Sequence, residues 1–252
     1  RNGLTTFDAL MSFSGGQVAK NVLRERTTTR IDLTDESGEP RPFFLKRHER
    51  PPLWEIVKPW LRFQRPLHGA RNEWDAILRF HHAGIATMMP AALGESQGRS
   101  FLLTAAIEGC RKLTEWMAEH HGALRNGQLQ TLRQIIAGVA DVARTMHQTG
   151  LHHQDFYLTH LMIPVGAKET GSTPIHVLDL GRVRWQRHLS GRWIVKDLGQ
   201  LNYSASRVSA SDRLRFLRAY LGRPVEKSDQ PLIRRVLGKS RAIARHTQKN
   251  GL

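Results

Sequence analysis

Between residues 16 and 48 apolar and polar side chains alternate with the two-residue period of a strand. Val18, Val22 and Leu23 open the segment. Thr27-Thr28-Thr29-Arg30-Ile31-Asp32-Leu33 continues it with β-branched residues, which suit a pleated surface. Asp35-Glu36-Ser37-Gly38-Glu39-Pro40 has turn chemistry, and Pro42-Phe43-Phe44-Leu45-Lys46 follows as a third strand. The rhythm then changes. Trp74, Ile77, Leu78 and Phe80 predict a helix from Ala70 to His82, stopped by Gly84. Two apolar runs, Met88–Leu93 and Ser100–Ile107, flank Gly94-Glu95-Ser96-Gln97-Gly98 and predict a hairpin, after which Gly109 is expected as a hinge. The clearest helix is Gln128 to Gln148, where Leu129, Leu132, Ile135, Ile136, Val139, Val142, Ala143 and Met146 recur at three and four, and Gly150 ends it. Residues 166–174 form a surface turn and Ile175–Leu178 a strand. Residues 212–221 and 232–245 are helical, mixing apolar and basic side chains. Strands first and helices after predict an α+β chain of two lobes, residues 1–108 and 109–252.

Residues 49–70 interrupt this pattern. Trp54, Ile56, Val57, Trp60, Leu61 and Phe63 alternate with Lys58, Arg62 and Arg65, and four prolines break the segment. Such a stretch suits the interface of a membrane, or packing of its aromatics against the first lobe.

Composition narrows the class. With 252 residues, 40% hydrophobic and 24% charged, the chain has the makeup of a globular protein. Its 38 Lys and Arg against 22 Asp and Glu leave a formal charge of +16, which favours anionic partners: nucleic acid, an anionic membrane, a phosphorylated substrate or an acidic protein. Cys110 is the only cysteine, which excludes an intrachain disulfide and suits a reducing compartment. Arg1 to Val18 has no signal-peptide core, and no stretch reaches the roughly 20 apolar residues that span a bilayer. A soluble, cytoplasmic protein is expected, with room for peripheral attachment at a membrane.

The chemistry concentrates in Leu151-His152-His153-Gln154-Asp155-Phe156-Tyr157-Leu158-Thr159-His160-Leu161-Met162-Ile163, followed by Val177-Leu178-Asp179-Leu180-Gly181. Phosphoryl transfer needs phosphates and a metal held in line with an acceptor hydroxyl. Candidates for each part occur in order. Lys46 ends an apolar strand, where a cation reaches nucleotide phosphates, and Glu73 on the next helix pairs with it. Asp155 can accept the hydroxyl proton or orient the acceptor, Asp179 is a hard oxygen ligand for Mg²⁺, and His160 stands where a second ligand belongs. Taken singly, Lys46 is also a solvated strand end, Glu73 a surface acid, Asp-Leu-Gly a turn and His153 a core histidine. Order and spacing together point to a protein-kinase-like fold.

The chain resembles the lipopolysaccharide core kinases, the WaaP and Kdo-kinase family, from about Gly16 to Pro224. The stretches that carry the resemblance are Gly69 to Ile77, Ala83 to Met88, Gly150 through Leu161, Arg192-Trp193-Ile194-Val195-Lys196-Asp197-Leu198-Gly199-Gln200-Leu201 and Arg213 to Tyr220. The Asp-Phe-Tyr-Leu-Thr-His run is the most specific of them. The resemblance implies ATP-dependent phosphorylation of a sugar hydroxyl, on heptose or Kdo, in the lipopolysaccharide inner core. It makes Asp155 the catalytic base, Asp179 and His160 the Mg²⁺ ligands and Lys46 with Glu73 the nucleotide clamp. It implies support of the loop by His153 and Asp197. By position, the backbone of Ala105 to Ile107 meets adenine. The partners it implies are the inner-core acceptor, an anionic membrane surface at the inner face of the inner membrane, and an acidic protein such as acyl carrier protein; nucleic acid is not expected.

Three positions depart from the pattern. Gln154 replaces the arginine that often precedes the acid, and Gly181 stands where heptose kinases carry histidine. Ser14-Gly15-Gly16 is not a Gly-x-Gly-x-x-Gly loop, and the turn at Arg24-Glu25-Arg26 lacks glycine. The alternatives are a small-molecule or protein kinase of the same fold, and a non-catalytic pseudokinase or nucleic-acid binder.

Overall fold

The β-branched run at Thr27 pairs on both flanks. In the computed structural model, β1 (Gln17–Leu23), β2 (Arg26–Thr34) and β3 (Pro40–His48) are joined by β4 (Pro90–Ser96) and β5 (Arg99–Ala105). They form one antiparallel sheet in the order β1-β2-β3-β5-β4. The structure describes residues 3–23, 26–34, 38–50, 69–120, 126–165 and 173–249. The basic aromatic stretch at 51–68, the turn at 35–37, the pair 24–25 and the turn at 166–172 lie outside the described residues.

These residues fall into two compact units. The first comprises Arg1–Arg79, Met88–Glu108 and Leu180–Arg182; the second comprises Phe80–Thr87, Gly109–Asp179 and Val183–Leu252. In the first, a short helix α1 (Phe7–Ser12), which the sequence pattern did not reveal, lays Leu10 and Met11 on the sheet. There they meet Ile31, Leu45, Phe101 and Leu103 in a buried cluster. Strand alternation sends Leu45 into that core and Lys46 to the opposite face. Lys46 pairs with Thr28 on one side and Leu102 on the other, and both ladders run on to His48. It therefore lies inside a central strand rather than at its end, because β2 and β5 both extend past it. The hairpin turn is also shorter than expected. Gly94 to Ser96 remain in β4, and Gln97 and Gly98 alone turn the chain, both at positive φ.

Next in the chain is α2 (Arg71–His82). The second unit begins its strands with β6 (Cys110–Lys112) and adds α3 (Leu113–Glu119), neither of which the pattern announced. The long helix α4 (Asn126–Gln148) buries Ile135, Ile136, Val139, Ala140, Ala143 and Met146 along one face. After it come β7 (Leu151–His152), β8 (Leu161–Pro164), β9 (His176–Val177) and β10 (Arg184–Trp185). β8 pairs with β6 and β9, and β7 with β10. Three helices close the chain: α5 (Gly191–Ser204), α6 (Ala210–Leu221) and α7 (Gln230–Lys249). α6 packs on α4 and α7 on α5. The α+β architecture expected from the sequence is present. Among the described residues no helix is long and apolar enough to cross a membrane.

Gly150 sets the exit from α4. Its φ is +80°, and a Cβ there would lie 2.1 Å from the Gln186 carbonyl oxygen. Close approach lets Gln186 N–H donate to Gly150 O at 2.8 Å. We expect Gly150→Ala to lower stability by about 2 kcal/mol or more, since both strain and backbone overlap act there. Denaturant unfolding checks this; an unchanged midpoint would show that the turn relaxes freely.

Candidate active site

In the first unit the central strand and α2 bring two charges together. The Lys46 ammonium donates to Glu73 Oε1, and Glu73 is 1% exposed. A carboxylate so buried has to be paired. Arg26 of β2 supplies a second cation, with Nη2 3.5 Å from Glu73 Oε2. On the same helix Asn72 Nδ2 donates to Gly181 O at 2.8 Å, fixing the residues after Asp179. A Cβ at Gly181 would lie 3.3 Å from the Arg26 guanidinium and 3.5 Å from Glu73 Oε2. The glycine that departs from the heptose-kinase pattern thus leaves room for Arg26 beside Glu73. Ala105 and Ile107 are half-buried at and just beyond the end of β5. The Ala105 amide already donates to Met89 O at 2.9 Å, so a nucleotide contact at Ala105 would fall to its carbonyl.

In the second unit α5 carries the loop from His153 to Leu158. Asp197 is wholly buried, and its two carboxylate oxygens accept the N–H groups of His153 and Gln154, each at 2.8 Å. His147 Nε2 adds a third bond at 3.4 Å, and its Nδ1 meets the Tyr220 hydroxyl at 2.9 Å. Burial alone would raise the pKa of Asp197. The hydrogen bond from His147, with the amide of His153, outweighs burial and holds it below the ordinary carboxylate value. One turn on, Gln200 Oε1 accepts from Phe156 N–H at 3.1 Å and Gln200 Nε2 donates to Gln154 O at 2.7 Å. Another turn on, Ser204 Oγ accepts from Leu158 N–H at 3.0 Å. A polar stripe on one helix therefore receives four amides of the loop. Of its members only Asp197 was expected from the sequence.

The histidines fix the acids relative to one another. His153 Nε2 donates to Leu178 O at 3.0 Å, so its Nδ1 is the acceptor that takes the Asp155 N–H at 3.3 Å. Both bonds require the neutral ring, and burial lowers the His153 pKa in agreement. His160 Nδ1 donates to Asp155 O at 2.8 Å. In the neutral ring this leaves the Nε2 lone pair as a ligand, and Nε2 lies 3.8 Å from Asp179 Oδ2. The structure thus gathers Asp155, His153, His160 and Asp179 in the second unit and pairs Lys46 with Glu73 in the first. Gln154 and Asp179 hold φ of +70° and +57°, conformations uncommon outside glycine. Among the described residues no three His, Cys, Asp or Glu side chains form a metal cage.

Arg26, Asn72, His147, Gln200 and Ser204 were not anticipated from the sequence. The signal available for two of them was the period: Asp197, Gln200 and Ser204 are spaced three and four apart on a helix whose neighbours are apolar.

Comparisons with known proteins place this geometry in a class. A solved structure, WaaP in complex with acyl carrier protein, matches with a TM-score of 0.73 and 28% identity, covering 94% of this chain and 91% of that one. The fold is that of a kinase-like phosphotransferase. The lipopolysaccharide core heptose(I) kinase WaaP of Escherichia coli strain K12 is 31% identical over 242 residues, 91% of this chain and 88% of its own length. The protein of that name from Pseudomonas aeruginosa is 32% identical over 237 residues, 90% and 84% of the two chains. The family model for the lipopolysaccharide kinase (Kdo/WaaP) family matches residues 17–220, and the chain belongs to that family. As a kinase of this family it transfers phosphate from ATP to a sugar hydroxyl.

One buried ring should govern acid stability. His152 is fully buried and stacked on Trp193 at 4.4 Å. Burial, with smaller contributions from Lys196 and Arg184 and against the pull of Asp197, lowers its pKa from 6.5 to about 4. Below pH 6.5 the unfolded chain binds the proton first, so stability is lost as pH falls from 6.5 towards 4. We expect His152→Phe to keep the stack and flatten this decline in the thermal midpoint. An equally steep acid limb in the variant would exclude His152 as its source.

Proposed function

We propose that this chain phosphorylates a heptose hydroxyl of the lipopolysaccharide inner core, with Asp155 as the base. The observation that carries the assignment of roles is His153, whose neutral ring joins the Asp155 amide to the carbonyl preceding Asp179. A proton acceptor and a hard carboxylate are thereby held in fixed register, as in-line transfer requires. The curated relatives named as heptose(I) kinases support heptose over Kdo as the acceptor.

In the first unit, Lys46 positioned by Glu73 neutralises the nucleotide phosphates, and the backbone around Ala105 and Ile107 meets adenine. In the second, Asp155 takes the proton as the sugar oxygen attacks the γ-phosphorus and ADP departs. His160 orients Asp155 through its carbonyl and turns Nε2 towards Asp179. Asp179 fits Mg²⁺, which takes one or two carboxylates and completes its shell with phosphates and water. The imidazole of His160 would be a softer second donor beside that carboxylate. Such an ion would neutralise charge on the phosphates. Residues 1–108 serve the nucleotide and residues 109–252 the acceptor.

The basic surface supports binding to an acidic acyl carrier protein and to the anionic inner face of the inner membrane. No acidic residue follows Asp229, whereas Arg234, Arg235, Arg241, Arg245 and Lys249 are exposed on α7. The second unit also contains an apolar cavity of about 300 Å³ lined by residues such as Leu132, Ile136, Leu201, Phe216 and Val236, which suits an alkyl chain. We expect association with acyl carrier protein to weaken steeply between 50 and about 300 mM salt, as screened charge attraction does. Salt-independent binding in a titration would exclude the charge mechanism.

The role of Asp155 has a direct test. With ATP and core lipopolysaccharide lacking heptose phosphate, we expect Asp155→Asn to reduce kcat by about 100-fold or more with the folded state retained. Mass spectrometry of the acceptor should find one added phosphate on heptose for the parent protein. A phosphate found on Kdo would reassign the acceptor, and undiminished transfer by the variant would remove Asp155 from the reaction.

A further inference from the structure

We infer that Gln200 is a positioning residue for Asp155, holding by one amide group the two peptide units that flank it. This rests on Asp155 being the reacting acid. The peptide before Asp155 offers the Gln154 carbonyl, and the peptide after it offers the Phe156 N–H. Gln200 bonds both, at 2.7 Å and 3.1 Å, from a side chain 4% exposed. The orientation of its amide is dictated by those partners, since a carbonyl accepts only and an N–H donates only. The Gln200 amino group also lies 3.3 Å from the Tyr157 hydroxyl.

Asp197 and Gln200 divide the loop between them. Asp197 takes amides on the N-terminal side, at His153 and Gln154, and is satisfied by a carboxylate because both loop groups are donors. Gln200 faces one acceptor and one donor, and a primary amide matches that pair where a carboxylate does not. Between these anchors Gln154 is held at φ +70°, a conformation that a free loop would leave. Relaxation of Gln154 would rotate the peptide joining it to Asp155 and swing the carboxylate away from its acceptor. Gln200 is buried behind the loop, so its loss should appear in turnover and leave ground-state binding intact.

The experiment compares Gln200→Met, Gln200→Glu and Asp155→Asn in ATP-dependent phosphate transfer to core lipopolysaccharide lacking heptose phosphate, with thermal unfolding of each. Gln200→Met preserves length and removes both bonds. It should lose about tenfold to 100-fold in kcat, with KM for ATP within about threefold, as an ångström-scale misplacement does. Gln200→Glu keeps the acceptor for Phe156 and loses the donor to Gln154 until its carboxyl is protonated, a form stabilised by burial. Its kcat relative to the parent protein should therefore rise as pH is lowered, whereas the Gln200→Met ratio stays flat.

A folded Gln200→Met variant with unchanged kcat, or a loss confined to KM, would overturn the inference. If that variant does not fold, Gln200→Glu decides: a relative kcat independent of pH overturns the positioning role. Wild-type turnover by Asp155→Asn would remove both the base and its clamp. An inactive Asp155→Asn beside a fully active Gln200→Met would remove the clamp alone.

Discussion

The second unit depends on a buried anion and the two amides that satisfy it. Asp197 has no exposed surface, and a carboxylate taken out of water is tolerated only with partners. Its partners are the loop N–H groups of His153 and Gln154 and the ring of His147. Dependence runs both ways. Without the carboxylate, two amides would be left without partners, at about 1–3 kcal/mol each where they are buried. Without the loop in its present conformation, α5 would carry an uncompensated charge into the core. Helix and loop therefore fold as one object.

From that anchor the order spreads through imidazole rings. His153 can serve Asp155 and Leu178 together only as the Nε2–H tautomer, and His160 can serve the Asp155 carbonyl only through Nδ1–H. Rings of this kind act as rigid spacers whose proton positions are set by backbone groups. The left-handed backbone at Gln154 and Asp179 is the local cost, about 1 kcal/mol or more at each non-glycine residue. Asp tolerates that region better than Gln, which explains why Gln154 needs hydrogen bonds on both of its peptide sides.

The legible parts of this protein were those written in local periods. Strand alternation around Ile31 and Leu45, the apolar face of α4 and the terminating Gly150 all follow from spacing along a few turns or residues. Lys46, Glu73, Asp155, His160 and Asp179 could be named as candidates from residue type and order together, and Asp197 from the resemblance to a known family. Arg26 and His147 could not, since their partners, Glu73 and Asp197, lie 47 and 50 residues away. The strand end at Lys46 was misjudged for a related reason: neighbouring strands, not its own residues, decide how far β3 extends. α1 was obscured by its brevity, as six residues give less than two turns of pattern.

The stripe formed by Asp197, Gln200 and Ser204 has a consequence for which changes this helix can accept. An α-helix advances about 100° per residue, so these three positions fall within about 60° of one another around the axis. The shape of the loop is thus stored as a phase angle of α5. Substitutions elsewhere on the helix leave that phase alone, but a single residue inserted between Asp197 and Ser204 would turn the later contacts about 100° out of register. Length between these residues is therefore a stricter requirement of the loop than the identity of their surroundings.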